Sequence, residues 1–344
     1  MKKEISLSFQ TTLKSIVLSF FVAVCAFPLQ THASLFVGHE LFSDTGDFLG
    51  GVVGEYSSSG IPINPSLISG LPGVRDIAIS GNRLYVLSFI GRTRQYNVGV
   101  YTTSGQTLNP SLISGVSTQG AVEAIAVSGK NVFLGTDANN GTVAKYTTSG
   151  ALINPSLITG LQSPFGLLGD LAISGGNLFV ASYGTEGTVG QYTLSGAAIN
   201  PALITADGAT TTALAVIGSR IFVRNSSSAE EFGVDTIGEY TTSGALVNPL
   251  FITGLTNPYG IAISEGDLFV AEIGLGGGEG VVGKYNLSGE PIDPALITGL
   301  DSPSIAVSGP TTSVPDQVST LWLAVPTAVL FGRKRLLGYR GKRA

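Results

Sequence analysis

Short apolar segments recur along most of the chain at a nearly constant spacing. Four landmarks repeat in a fixed order: an IAIS-like run, an LFV-like run, a run that ends in tyrosine, and an NPxLI-like run. The repeated tyrosines lie 45, 45, 46, 48 and 45 residues apart, so the chain holds six copies of one unit. A repeat of this length is typical of a solenoid or a propeller and must be interpreted before any local motif. These tyrosines are Tyr56, Tyr101, Tyr146, Tyr192, Tyr240 and Tyr285.

Each landmark predicts a β-strand, because it is short, rich in β-branched or aromatic residues, and bounded by glycine, serine, asparagine or proline. A helical solenoid would need longer runs with an apolar period near 3.6, which these units lack. Four strands in a unit of about 45 residues are typical of a propeller blade. We therefore predict an all-β fold: a six-bladed β-propeller of four-stranded antiparallel blades, with four strands in each of six units.

The composition of the landmarks predicts where each strand lies in its blade. The IAIS-like run has a small residue in its middle, which suits an innermost strand packed between neighbouring blades. The NPxLI-like run contains proline, which cannot donate to a ladder and therefore belongs at an outer sheet edge. The repeats begin on an LFV-like run at Leu35 and end on an IAIS-like run at Ile305. We expect this C-terminal inner strand to join the N-terminal blade and close the ring without unpaired edges.

Both ends of the chain differ from the repeats. Residues 1–33 predict a secretory signal peptide, with a basic start, an apolar run too short for a comfortable membrane span, and small residues before residue 34. Cys25 is the one cysteine of the chain, and a lipoprotein signal is the alternative there. The propeller is predicted over 34–309. Residues 310–344 form a linker, a short apolar segment and a basic tail, which predict transient anchoring in the inner membrane with the tail in the cytoplasm.

Charge is distributed unevenly. The formal net charge of the whole chain is −5, yet residues 34–309 contain 21 carboxylates against nine Lys and Arg, a balance of −12. Most of these carboxylates lie in or beside the connections that vary in length between units, and such loops place binding residues on one face of a propeller. An acidic face disfavours nucleic acid and favours cations or basic partners. The alternative is that the acidic residues serve only solubility.

Three acidic residues are candidate metal ligands. Asp76, Glu123 and Asp170 precede the IAIS-like runs of three successive units, so we expect all three near the mouth of the central channel. Clustered oxygen ligands suit Ca²⁺. The alternative is that they point into solvent or pair with Arg75. His39 is the one histidine outside the signal region, which excludes a His-rich metal site, and we expect it on the surface at a strand end.

One unit resembles a known propeller repeat. Residues 258–272, PYGIAISEGDLFVAE, resemble the NHL-type repeat, in which P-x-G-I-A-V-D is followed by G-N-L-Y-V-A-D. Glu272 matches the acidic residue that ends the second motif. The other units have different residues at that position. The resemblance implies propeller architecture over 35–309.

The C-terminal segment resembles the PEP-CTERM family of bacterial sorting signals, in its VPDSG variant. The resemblance covers the end of the chain and implies processing by an exosortase-type membrane protease in a Gram-negative bacterium. It also implies delivery to the cell surface or to an exopolysaccharide matrix. The residues that carry it are Val314, Pro315, Asp316, Ser319 and Thr320, followed by the basic cluster Arg333, Lys334 and Arg335.

Two hypotheses of function follow from these patterns. The first is a non-catalytic, exported surface or matrix protein whose acidic, variable-loop face binds another protein or a polysaccharide bridged by Ca²⁺. The alternative is a Ca²⁺-dependent enzyme of the lactonase or lyase kind that six-bladed propellers support, which would need Asp76, Glu123 and Asp170 to converge on one metal ion. A purely structural spacer is the third possibility. Fold alone does not choose among them.

Overall fold

The computed structural model describes residues 33–308, apart from residues 44, 46, 92–94, 117–119, 139, 162–166, 184–185, 208–211, 227–234 and 275–278. Residues 1–32 of the predicted signal peptide and all of the C-terminal segment 310–344 lie outside the described residues. Within the described ranges every regular element is a β-strand, so no helix there is long and apolar enough to cross a membrane.

All strand pairs are antiparallel, in agreement with the predicted all-β class. The first twelve strands are β1 Ser34–Phe42, β2 Phe48–Ser57, β3 Pro62–Leu71, β4 Val74–Ser80, β5 Arg83–Ile90, β6 Gln95–Thr102, β7 Thr107–Val116, β8 Val122–Ser128, β9 Asn131–Thr136, β10 Thr142–Thr147, β11 Leu152–Thr159 and β12 Leu167–Ser174. The remaining strands are β13 Asn177–Tyr183, β14 Glu186–Thr193, β15 Ala198–Asp207, β16 Leu214–Ile217, β17 Arg220–Ser226, β18 Asp235–Thr241, β19 Leu246–Leu255, β20 Pro258–Ser264, β21 Asp267–Glu272, β22 Gly280–Asn286 and β23 Pro291–Ser308.

Consecutive strands form four-stranded sheets: β4–β7, β8–β11, β12–β15 and β16–β19. A seven-stranded sheet holds the last and the first strands in the order β20-β21-β22-β23-β1-β2-β3. Its long strand β23 spans the last NPxLI-like and IAIS-like runs, which the sequence predicted as two strands. The first part of β23 pairs with β22 (Tyr285 opposite Pro291), and the last part pairs with β1 (Leu35 opposite Val307).

The IAIS-like strands β4, β8, β12, β16 and β20, together with residues 301–308 of β23, are called the inner strands below. Contacts join β4 to β8, β8 to β12, β12 to β16, β16 to β20, β20 to β23 and β23 to β4. The proline-containing strands β3, β7, β11, β15 and β19 lie at sheet ends, and most of their first residues are exposed. The proline strand is therefore at an edge, as its missing N–H requires.

The core lies between neighbouring sheets. The LFV-like strands are buried on both faces, and Leu84, Tyr85 and Val86 are all at most 1% exposed. One core cluster combines Phe133 and Ala126 of one sheet with Leu171 and Leu178 of the next. Strands that are covered on both faces read as continuous apolar runs, which explains why these landmarks lack polar alternation.

Candidate functional site

Asp76 connects two neighbouring sheets through its carboxylate. Its Oδ1 accepts a hydrogen bond from the backbone N–H of Ile77 at 2.7 Å, and its Oδ2 accepts one from Ile125 N–H at 2.8 Å. Ile125 belongs to the next inner strand, β8. Hydrogen-bonded and non-hydrogen-bonded residue pairs alternate along an antiparallel hairpin. Because Ser80 and Arg83 form the hydrogen-bonded pair that closes the turn, Ile77 lies in a non-hydrogen-bonded pair. Its N–H therefore points away from β5 and can donate to Asp76.

Asp170 repeats the same arrangement two sheets further along the chain. Its Oδ1 accepts from Leu171 N–H at 2.6 Å, and its Oδ2 accepts from Leu214 N–H at 2.8 Å. Leu214 lies on β16, so this carboxylate joins β12 to β16. Carboxylates that accept two backbone N–H groups are fixed in orientation, and both aspartates therefore serve as rigid links between inner strands.

A cavity of about 250 Å³ lies between the six inner strands. Its wall contains the polar residues Asp76, Asp170 and Ser304 together with Gly260, and it is otherwise built of Ile, Leu, Val and Ala. The structure thus brings two of the three predicted acidic residues to one cavity.

The surroundings of both aspartates disfavour the ionised form. Burial raises the pKa of Asp76 to about 7, although the N–H groups of Ile125 and Ile77 oppose that shift. Burial also raises the pKa of Asp170 well above its ordinary value, and the negative charge of Asp76 raises it further. Protein encloses both groups on the cavity wall, so bulk water stabilises their charge poorly.

Glu123 does not occupy the position that Asp76 and Asp170 share. Asp76 lies opposite Leu87, whereas the residue of β8 at the same register is Ala124, opposite Gly135. Glu123 precedes that position by one residue, and successive side chains of a strand point to opposite sides.

Glu123 instead belongs to a polar bridge between strands β8 and β20. Its Oε2 accepts a hydrogen bond from the Tyr259 hydroxyl at 3.4 Å and lies 3.9 Å from Arg75 Nη1. Tyr259 is on β20, which is not a neighbour of β8. Burial and then the charge of Glu123 raise the pKa of Tyr259 to about 12, so its hydroxyl keeps the proton that it donates.

Asp137 is a polar group that the sequence did not single out as a site residue. Its Oδ1 accepts from the N–H of Leu168 at 2.8 Å, which links the residue after β9 to β12. Burial raises its pKa to about 6, and the charge of Glu123 contributes to that shift. The signal in the sequence was its place three residues after the LFV-like run at 132–134, directly after β9.

Metal binding by Asp76, Glu123 and Asp170 stays a prediction. Across the described part of the chain, no three or more His, Cys, Asp or Glu residues form a group placed to hold a metal ion. The two aspartates retain lone pairs beyond those that accept N–H groups, because each carboxylate oxygen carries two. Ca²⁺ at this site would therefore need further oxygen ligands from outside this pair.

Two further residues differ from their expected settings. His39 was expected on the surface, but it is 8% exposed, and its Nδ1 lies 3.1 Å from the carbonyl oxygen of Glu40. Burial lowers the pKa of His39, so the ring is neutral at neutral pH. Arg224 is one of the nine cations of residues 34–309, but it is buried and pairs with Asp235 at 2.9 Å.

Comparisons with known proteins support the fold. No protein-family model matches the chain, and no curated protein matches it. The solved structure of TolB from Acinetobacter baumannii is similar with a TM-score of 0.57 and 11% identity over 79% of this chain and 66% of TolB, so the matched part is slightly less than two thirds of TolB. The periplasmic gluconolactonase PpgL of Pseudomonas aeruginosa is similar with a TM-score of 0.52 and 14% identity over 80% of this chain and 99% of PpgL.

A functionally unknown protein of Desulfotomaculum acetoxidans is similar with a TM-score of 0.50 and 15% identity, over 81% of this chain and all of that protein. At these identities the likeness shows the fold alone. The chain has a β-propeller fold.

Proposed function

We propose that this chain is an exported binding protein, built on a closed six-bladed propeller, that holds a ligand in its central cavity without transforming it. Three observations support the closed ring: the inner strands contact one another from β4 round to β23 and back to β4, β23 pairs with β1, and Lys284 Nζ donates to Ser58 O at 3.1 Å. The proposed ring covers 34–309.

The observation that carries the binding function is the state of the two cavity carboxylates. Each oxygen of Asp76 and Asp170 already accepts a backbone N–H from an inner strand. A general base or nucleophile needs an oxygen that faces the substrate and changes partners during the reaction. Groups fixed by such contacts are suited to presenting a preorganised wall to a ligand.

Thermal melts of the purified protein with millimolar Ca²⁺ and with EDTA test whether the ligand includes the predicted metal. Because a ligand bound only by the folded state raises stability, Ca²⁺ at the cavity should raise the melting temperature in wild type and not in Asp170→Asn. Asp301→Asn, at an exposed position, is the matched control. A rise that survives in Asp170→Asn would place Ca²⁺ elsewhere, and the absence of any rise would remove Ca²⁺ from the proposal.

A lactonase is the second candidate. It is favoured by the fold likeness to a periplasmic gluconolactonase and by the pKa of Asp76, about 7, which suits a general base near neutral pH. Gluconolactone hydrolysis can be followed by acid release, with Asp76→Asn as the test variant and Asp301→Asn as the control. Turnover lost only in Asp76→Asn would establish the enzyme and overturn the binding proposal.

We also propose the cellular route. Residues 1–33 act as the export signal. Residues 310–344 act as the substrate of an exosortase-type protease, after which the propeller is delivered to the cell surface or to an exopolysaccharide matrix, where polysaccharide or another surface protein is the partner. The support is the sequence pattern alone.

Replacing Val314, Pro315 and Asp316 by alanine in a bacterium that carries such a protease should leave the protein at its higher, unprocessed mass in the membrane fraction. Unchanged processing would contradict the route.

A further inference from the structure

The inner strands carry six equivalent backbone N–H positions at one level of the cavity. Each belongs to the first apolar residue of an IAIS-like run, and all six residues line the cavity. In hairpin β20–β21 the two-residue turn makes Ser264–Asp267 the closing pair, so the N–H of Ile261 points away from β21, as that of Ile77 points away from β5. The six residues are Ile77, Ile125, Leu171, Leu214, Ile261 and Ile305.

Two aspartates serve four of these six N–H groups. Asp76 accepts from its own strand and from the next one, and Asp170 does the same two strands further on. One carboxylate on every second inner strand therefore serves two N–H groups, and three would serve all six. The pair that neither aspartate reaches belongs to Ile261 and Ile305, on the neighbouring strands β20 and β23.

Glycine stands where the third carboxylate would be. Gly260 lies opposite Ala271 at the register that Asp76 has opposite Leu87. A Cβ built on Gly260 would lie 3.7 Å from Ile305 N, and its nearest neighbour, Ile305 Cγ2, would be 3.3 Å away. Gly260 lines the cavity and does not have a positive φ, so its backbone conformation does not demand glycine, and a Cβ there would need only a small shift of the Ile305 side chain.

We propose that the cavity binds a small monocarboxylate whose two oxygens accept the N–H groups of Ile261 and Ile305, in the place that an aspartate side chain would fill at position 260. This inference names the ligand class of the proposed function and rests on the cavity being its binding site. A cavity of about 250 Å³ admits only a small molecule.

The geometry requires an acceptor with two oxygens. In both occupied positions one oxygen serves the strand of the aspartate itself and the other serves the next strand. A carboxyl group can accept at both oxygens, whereas an amide of the same shape has one oxygen and one donor group. Asp76 and Asp170 do not exclude a third carboxyl group, because burial raises the pKa of both, to about 7 for Asp76, and so favours their uncharged forms below that pH.

The first test is a titration of the ¹⁵N-isoleucine-labelled protein with acetate, followed by amide resonances. We expect the Ile261 and Ile305 resonances, assigned with single Ile→Val variants, to move downfield together and saturate. The resonances of Ile77 and Ile125 should move far less, because Asp76 already serves those groups. Acetamide is the matched control and should leave all four near their starting positions. Acetate that moves all four equally, or none, would overturn the inference.

The second test introduces the carboxylate as a side chain at position 260. Gly260→Asp should raise the melting temperature and abolish the response of Ile305 to acetate, because its own side chain accepts the two N–H groups. Ala124→Asp is the matched control, since the N–H groups beside it, those of Ile125 and Leu171, already have acceptors. That variant should lower the melting temperature. A folded Gly260→Asp that still responds to acetate would contradict the site, and the wild-type titration decides the matter if the variant does not fold.

These experiments distinguish a failure of the carboxylate inference from a failure of the proposed binding function. If acetate leaves Ile261 and Ile305 unmoved while Ca²⁺ still raises the melting temperature of the wild type and not that of Asp170→Asn, the carboxylate inference falls and the binding function stands. If the protein turns over a lactone through Asp76, the binding function itself falls. In that case a shift of Ile261 and Ile305 would report product bound in the cavity.

Discussion

The glycine two residues before the repeated tyrosine lets that aromatic ring fold back over its own strand. A Cβ on Gly99 would lie 2.8 Å from Cε2 and 2.9 Å from the hydroxyl of Tyr101, closer than real Cβ contacts. The third unit has Ala144 at this position, and there Tyr146 is half-buried, whereas Tyr101 is buried. The repeated V-G-x-Y pattern is therefore a packing device.

Replacing Gly99 by alanine should force the Tyr101 ring away from its strand. We expect the free energy of unfolding to fall by about 1–3 kcal/mol, the usual cost of overpacking. Urea denaturation measures it. Ala144→Gly is the matched control at the equivalent position and should change stability by about 1 kcal/mol or less, because that strand already accommodates the methyl group. Equal losses in both variants would show that the ring contact does not matter.

The raised pKa of Asp76 should make stability depend on pH. Because its pKa is 3.8 in the unfolded chain and about 7 in the folded protein, the folded state holds the proton more tightly between those values. Stability from this group is therefore complete below about pH 4 and is lost as the pH rises towards about 7. Thermal melts across this range should show the decline, and Asp76→Asn should make it shallower without abolishing it, because the raised pKa values of Asp170 and Asp137 also contribute. Glu290→Gln, at an exposed position, should leave it unchanged, and a steeper decline in Asp76→Asn would contradict the assignment.

The residues of this site can be predicted from the sequence only when the strand register is followed residue by residue. Asp76 and Asp170 directly precede their apolar runs, but Glu123 is separated from its run by Ala124. Grouping the three as residues near strand starts ignored that one-residue difference, which turns a strand side chain to the other side. No pattern in the sequence could show that Tyr259 meets Glu123, since 136 positions separate them.

At the scale of elements, each polar turn packs on the outer strand of the preceding unit. A Cβ on Gly105 would lie 2.7 Å from the carbonyl oxygen of Leu67, and Gly60 makes the equivalent contact with Leu296 near the other end of the chain. These turns therefore help to set the spacing of the sheets.

The strands themselves were predictable because period, β-propensity and turn residues agree in every unit. The continuous strand β23 was not predictable, because in every other unit the NPxLI-like and IAIS-like runs form separate strands of different sheets.

Alanine substitutions at two glycines with similar backbone conformations distinguish the effect of the contact between turn and outer strand from the effect of backbone strain. Gly105 and Gly115 have φ values of 85° and 63°, but a Cβ on Gly115 would meet no atom within 4 Å. Gly115→Ala should lower the free energy of unfolding by about 1–2 kcal/mol, the cost of a left-handed residue. Gly105→Ala should lower it by roughly 1–3 kcal/mol more, because it also overlaps the neighbouring sheet. Chemical denaturation measures both, and similar losses would exclude a role for the contact.

At the scale of the whole molecule, the last eight described residues connect the two ends of the repeat array. Residues 301–308 of β23 pair with β1, so β1 has a partner on both edges. Ile305 packs in one core cluster with Leu35, and Ala306 packs in another with Phe36. Inter-unit contacts of this kind are what a repeat array needs at its ends, because no single repeat buries its own apolar faces.

Truncation separates a closed ring from an open array. A chain that ends at residue 300 lacks the strand that covers β1, so we expect it to lose cooperative unfolding and to aggregate through the exposed edge. A chain that ends at residue 309 keeps that strand and should melt as the longer protein does, if residues 310–344 act only in sorting. Calorimetry and light scattering distinguish the two. In an open array the loss of one terminal strand would lower stability only locally, because each repeat contacts only its neighbours. A folded, cooperative chain ending at residue 300 would therefore argue against closure and, with it, against a cavity enclosed by six inner strands.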